Sequence, residues 1–378
     1  MPEPIYFDYN GTTPLDPEVV RAMQPYWGEA FGNPSSGHAY GRRPRAAVAE
    51  ARQQVADLLG CHPEEIIFTS GGTEANNHAL KGILMADHRG GHIITSAVEH
   101  SAVLEVCLFL MRFGVELTVL PVDAACRVDP AAVGAAIRPD TRLISIMHAN
   151  NEVGTLQPIA EIGAIARSHG IPFHTDAAQS VGKVPTRVDE LGVDLLSLAG
   201  HKLYAPKGVG ALYVRAGITL ENFCHGAGQE NGRRAGTENV ALIAGLGKAC
   251  EIAARELEQH RGHMQAMRER LHRGLADRLE GVTLNGHPDQ RLPNTLSLAF
   301  AGIDANDLLT AVQDTLAASA GAACHADSVA VSHVLAAMQL PQDRARGTVR
   351  FSVGRTTTRE EIDAALPVLI EAVARLRR

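Results

Sequence analysis

Ser197-Leu-Ala-Gly-His-Lys-Leu-Tyr-Ala-Pro-Lys-Gly208 closes a strand-like apolar run, Val193–Leu198, and sets Lys202 just beyond its end. The chain is poor in lysine: of its 35 Lys+Arg only five are lysines, Lys81, Lys183, Lys202, Lys207 and Lys248, and two of them lie in this segment. Arginine serves nearly everywhere a surface cation is wanted, so a lysine here suggests work that guanidinium cannot do. Forming a Schiff base is such work, because it needs an amine that can lose its proton. A lone lysine at a strand end otherwise reads as a side chain snorkelling to solvent. Its neighbours decide against that.

Twenty-six residues before Lys202, the run Ile171-Pro-Phe-His-Thr-Asp-Ala-Ala-Gln179 ends an apolar strand on Asp176. Taken alone, Asp176 reads equally well as the N-cap of the turn that follows. An acid and a lysine at the ends of successive strands form the pair that pyridoxal phosphate requires. The lysine takes the carbonyl carbon, and the acid keeps the ring nitrogen protonated so that the ring withdraws electrons.

Working outward, strand candidates recur between helical stretches at Glu65–Thr69, His92–Ser96, Val115–Leu120, Leu143–Met147, Ile171–Thr175, Val193–Leu198 and Val209–Val214. Several are almost continuous in Ile, Leu and Val, as strands buried on both faces of a mainly parallel sheet are. The expectation is an α/β fold with chemistry at the carboxyl ends of seven strands. After about residue 240 the pattern changes. Met264, Met267, Leu271, Leu275 and Leu279 form one stripe of a long amphipathic helix, read as core or inter-domain seam. Strands at Thr295–Phe300 and Thr348–Val353 and a closing helix Glu360–Arg377 then suggest a smaller α+β domain. The expected division is 16–258 for a large cofactor-binding domain and 1–15 with 259–378 for a small one.

With 378 residues, 45% hydrophobic and 20% charged, the chain is long enough for both. A net charge of −7 gives no reason to expect nucleic acid or an anionic membrane as partner. No apolar run reaches the roughly 18 residues of a membrane span, and the N-terminus lacks the pattern of a signal peptide. The six cysteines (61, 107, 126, 224, 250 and 324) are scattered, without a metal cluster or disulfide framework, and a reducing cytoplasm is the expected compartment.

Four further motifs carry chemistry. Phe68-Thr-Ser-Gly-Gly-Thr-Glu-Ala-Asn-Asn77 runs from a strand through a glycine turn into a helix, so open N–H groups and the Thr73 hydroxyl form a phosphate cradle. Ser96-Ala-Val-Glu-His100 puts a histidine at another strand end, where it can stack on the ring and move protons. Asn151, in His148-Ala-Asn-Asn-Glu152, and Gln179 are each within the pattern to bond the cofactor's phenolic oxygen. Finally, Ala317-Ala-Ser-Ala-Gly-Ala-Ala-Cys-His-Ala-Asp-Ser328 surrounds Cys324 with small and polar residues, and reads as an accessible loop with a reactive thiol.

These motifs, with Asp8-Tyr-Asn-Gly-Thr-Thr-Pro14, Phe31-Gly-Asn-Pro34, Arg234-Ala-Gly-Thr-Glu238 and Arg350-Phe-Ser-Val-Gly-Arg355, run nearly end to end in an order that resembles the NifS/IscS family of cysteine desulfurases, in the class V aminotransferase superfamily of fold type I. The resemblance implies a pyridoxal 5′-phosphate enzyme. It implies that Lys202 carries the cofactor, Asp176 faces the ring nitrogen, His100 stacks on the ring and Gln179 meets the phenolic oxygen. Thr73, His201 and Thr237 from a partner subunit would hold the phosphate, with Glu74 in the same cofactor set. Asn10, Asn151 and Arg350 would bind substrate, His100 would serve the substrate thiol, and Cys324 would accept sulfur. The implied reaction turns L-cysteine into L-alanine with a persulfide on Cys324, in a homodimer that passes sulfur to an acceptor or iron–sulfur scaffold protein.

Two departures keep alternatives open. Desulfurases usually carry Ser three residues before the lysine, and here Ala199 stands there, so one phosphate donor is lost. The surroundings of Cys324, and Gln290-Arg-Leu-Pro-Asn-Thr295, resemble selenocysteine lyases, although Ser101 stands where mammalian-type lyases have an acid. Selenocysteine lyase is therefore one alternative. A class V aminotransferase is another, and a catalytically idle scaffold for sulfur assembly a third, which intact Lys202, Asp176 and Cys324 argue against.

Overall fold

A computed structural model describes residues 3–86, 90–325 and 328–378, with only the backbone described for 322–325 and 328–330. After a short strand β1 (Ile5–Tyr6), seven strands build one sheet: β2 (Ile66–Thr69), β3 (Gly91–Ser96), β4 (Val115–Leu120), β5 (Thr141–Ser145), β6 (Phe173–Asp176), β7 (Leu195–Ala199) and β8 (Gly210–Val214). Their order is β2-β8-β7-β6-β5-β3-β4. Every pairing is parallel except those of β8, which runs antiparallel to both β7 and β2. Two reversals restore the direction, so β2, β3, β5, β6 and β7 all end at one edge of the sheet.

Burial on both faces explains why most of these strands are so apolar, whereas the edge strand β4 leaves Glu116 and Val119 exposed. Ile93, Leu143, Leu195 and Leu212 pack into one core, while their neighbours Ile94, Ile144, Leu196 and Ala211 pack into another on the opposite face. That is the two-residue period of a strand covered on both sides.

A second sheet contains β9 (Val282–Leu284), β10 (Thr295–Phe300), β12 (Ser319–Ala320) and β15 (Thr348–Ser352), in the order β12-β15-β10-β9. Strand β11 (Leu316–Ala317) pairs in parallel with β1, which brings Phe7 into the core of this second sheet. The helix Val240–Ala276 serves both cores. Ile243, Leu246 and Cys250 pack under the large sheet, and Met264, Met267, Leu271 and Leu275 under the small one. Between them Glu256 leaves helical geometry (φ −120°, ψ 15°), and there the long element bends.

The segment read as a loop around Cys324 has paired backbone: β13 (Ala322–His325) lies antiparallel to β14 (Ser328–Val331), with Cys324 opposite Val329. The side chain of Cys324 lies outside the described residues. No helix among the described residues is long and apolar enough to cross a membrane.

Candidate active site

The shared strand edge opens into a cavity of about 390 Å³, lined among others by Asn10, Thr73, His100, Asn151, Asp176, Gln179, His201, Lys202 and Arg350. Each arrives by a short path from the sheet. Asp176 is the last residue of β6, and the turn after it carries Gln179. Strand β7 runs through Ala199 into a single turn, Gly200–Lys202, which presents His201 and Lys202. Strand β2 reaches its helix, Gly72–Met85, through Gly71 at φ 150°, a conformation that favours glycine. Close approach demands glycine again at Gly210, where a Cβ would lie 2.8 Å from the Cα of Gly71 and 2.6 Å from the oxygen of Leu198.

Lys202 donates to the backbone oxygens of Asn10 and, at 2.7 Å, Gly11. Burial first, and then the Arg350 guanidinium, push its pKa from 10.5 down to about 8, against the opposing pull of Asp8 and Asp176. An amine so placed loses its proton near neutrality, which a nucleophilic or basic lysine needs. Asp176 is divided in its duties. One oxygen accepts from the Ala178 N–H at 2.9 Å, as a turn cap does, and the other from Asn76 Nδ2 at 2.7 Å. The two readings of this residue are therefore compatible.

Several neighbours are fixed by hydrogen bonds. His100 caps the helix Ser101–Met111, its Nδ1 accepting from the Ala102 N–H at 3.0 Å. That bond puts the proton of a neutral ring on Nε2. His201 meets Thr12 Oγ1 at 3.2 Å through Nδ1, and burial, followed by Lys202, Lys207 and Lys183, lowers it to about 4, so it is neutral. Arg350 donates to Asp8 at 2.7 Å, Ser319 at 3.0 Å and the Asn151 carbonyl at 3.0 Å. Its Nε is buried without a partner among the described residues. The helix Gly72–Met85 has no side-chain cap on its N-terminus. An orphaned guanidinium N–H and an uncapped helix start both favour an anion.

Asn10 ties these parts together. Its backbone oxygen accepts from Lys202 and, at 3.0 Å, from Gln179 Nε2. Its side chain donates to Thr295 Oγ1 at 2.8 Å and the Asn151 carbonyl at 3.1 Å, and accepts from Asn294 at 2.9 Å. Residues from the N-terminal stretch, the large sheet and the small sheet thus meet in one network.

Not every candidate lines the cavity. Glu74 faces away and pairs with Arg234 at 2.8 Å, while also accepting from the Ser70 N–H at 2.9 Å. Thr237 lies elsewhere, with Arg234 and Glu238 along a separate cleft. Sequence reasoning passed over Asn76, Asp8 and Lys183. Asn76 lay inside the quoted glycine-turn motif, Asp8 headed another, and Lys183 was among the rare lysines, so a signal existed for each.

Residues 5–365 match the family described as aminotransferase class-V. The chain is 49% identical to a cysteine desulfurase IscS of Dictyoglomus turgidum, over 100% of this chain and 96% of that protein. It is 46% identical to a human cysteine desulfurase, over 99% of this chain and 82% of the relative. A solved NifS-like protein superposes with a TM-score of 0.92 at 36% identity, covering 98% of this chain and 99% of the other. A structure titled SspA in complex with cysteine gives a TM-score of 0.83 at 39% identity, over 93% and 99% of the two chains.

Proposed function

This chain belongs to the class V aminotransferases and, within them, to the cysteine desulfurases, and on that footing we propose that it uses pyridoxal 5′-phosphate to move sulfur from L-cysteine to Cys324. The observation that carries the reading is one cavity holding the depressed amine of Lys202 together with the carboxylate of Asp176.

The donor set suits the cofactor. Thr73 and the uncapped helix start would hold its phosphate, with the neutral His201 beside them. Ala199 supplies no hydroxyl there, so the phosphate has one donor fewer. Asp176 would keep the ring nitrogen protonated, Gln179 would donate to the phenolic oxygen, and His100 would cover the ring face. Lys202 would tether the cofactor. When bound, pyridoxal phosphate supplies an electron sink for charge left on the substrate's α-carbon.

The protein's own groups do the rest. Arg350 and the side-chain amide of Asn151 would bind the substrate carboxylate, and Asn10 braces the Asn151 carbonyl to which Arg350 also donates. Lys202 would take the α-proton, since at a pKa of about 8 it is partly neutral near pH 7. His100 serves the substrate thiol through its Nε2–H, which can donate to the sulfur. The Cys324 thiolate then attacks the substrate sulfur, forming an S–S bond as the carbon–sulfur bond breaks. A proton takes the place of sulfur on the β-carbon. Cysteine and a thiol thus become alanine and a persulfide, with no external oxidant. A thiol-bearing acceptor or an iron–sulfur scaffold protein would discharge the persulfide. A reducing compartment such as the cytoplasm suits the free thiols of Cys61, Cys107, Cys126, Cys224 and Cys250.

A homodimer is part of the proposal. The exposed Trp27 and Phe31 border a cleft that Thr237 shares, an apolar surface suited to a second copy whose phosphate Thr237 would reach. Light scattering that finds an active monomer would remove this part. The activity itself is tested by supplying L-cysteine and, separately, L-selenocysteine to the purified holoenzyme and measuring alanine. We expect alanine from cysteine. Alanine from selenocysteine alone would make the protein a selenocysteine lyase.

A further inference from the structure

Lys183 lies beneath the cavity, 4% exposed, and does not line it. Its Nζ donates to Gln179 Oε1 at 3.0 Å and to Asn10 Oδ1 at 3.5 Å. Both acceptors are amide oxygens, so no opposite charge compensates the buried amine. Burial above all, then Lys202 and Arg350, bring its pKa down to about 7. A chain that otherwise favours arginine thus keeps a lysine at an unfavourable place, in contact with two residues of the site.

The consequence falls on Gln179. Its side-chain amide has an oxygen end and an NH₂ end of nearly equal size, and only its partners decide which points where. Here both partners are one-way. The Lys183 ammonium can only donate, which fixes the oxygen end toward it. The Asn10 carbonyl can only accept, and it takes the Nε2–H at 3.0 Å. One orientation satisfies both, and it leaves the second N–H of Gln179 for the cavity that Gln179 lines. A neutral Lys183 amine still donates, so the arrangement holds on both sides of its titration.

We propose that Lys183 is a positioning residue that locks the Gln179 amide with its donor side toward the cavity, so that Gln179 can only give an N–H to the ring oxygen of the cofactor. The proposal rests on the pyridoxal phosphate reading above. An N–H held on that oxygen withdraws its electrons. Without Lys183 only the Asn10 carbonyl holds the amide, its donor side is kept toward the cavity less firmly, and the ring oxygen holds a shared proton more tightly.

The test is the visible absorption of the holoenzyme titrated against pH. In Lys183→Met the midpoint of the cofactor band should rise by about one pH unit, the equivalent of one lost hydrogen bond. Gln179→Ala should produce the same rise, and the double substitution no more than either alone, because both act through one contact. Lys183→Arg, which retains N–H donors, should stay close to wild type, and it decides the matter if the Met variant does not fold. A folded Lys183→Met with an unchanged midpoint, shifts that add in the double variant, or an Arg variant displaced as far as Gln179→Ala would each overturn the lock. A wild-type protein that shows no cofactor band at all would instead overturn the reading of the site, and the lock with it.

Discussion

Replacing Cys324 by alanine should cut alanine formation from L-cysteine by on the order of 10³-fold, while the protein keeps its cofactor and its visible band. A thiol carbon–sulfur bond does not break readily without a nucleophile to take the sulfur, so the loss falls on the chemical step and not on cofactor binding. Selenium leaves more readily, because a selenol is far more acidic than a thiol. The same variant should therefore retain substantial activity on L-selenocysteine. Steady-state rates of wild type and Cys324→Ala on the two substrates check this, and a variant unimpaired on cysteine would remove Cys324 from the reaction.

Lys202→Ala should be still more damaging, since one side chain has two duties. Losing the proton acceptor alone costs about 10²–10⁴-fold, and losing the tether removes the borohydride-trappable link as well. The variant should show no covalent cofactor after reduction. If reduction still fixes cofactor to the chain, another lysine holds it, and the buried Lys183 beside the cavity is the first to examine.

The large sheet was legible because most of its strands are buried on both faces, and short segments dense in Ile, Leu and Val leave few other readings. The seven expected strands appear, with ends that differ by at most two residues and Val115–Leu120 unchanged. The cavity followed from them, since Asp176, His201 and Lys202 were placed by strand ends. Less legible were contacts between distant segments. Nothing local in Asn10 shows that its carbonyl receives both Lys202 and Gln179, because that meeting depends on β1 joining β11 beside the small sheet. Glu74 was read in the cofactor set alongside Thr73. Yet one helical residue turns the side chain by about 100°, and Arg234 takes it. The Gly- and Ala-rich stretch at Cys324 looked like a loop because neither residue favours strands. Its backbone nonetheless pairs as β13 with β14.

Sulfur passing from cysteine to Cys324 would leave a mark on the chain. Mass spectrometry of the holoenzyme, digested after brief exposure to L-cysteine without an acceptor, tests it most directly. The peptide containing Cys324 should gain the mass of a single sulfur atom, lost again on reduction, with one alanine formed for each sulfur gained. Alanine accumulating while that peptide stays unmodified, or sulfur found instead on an exposed thiol such as Cys224, would contradict the account.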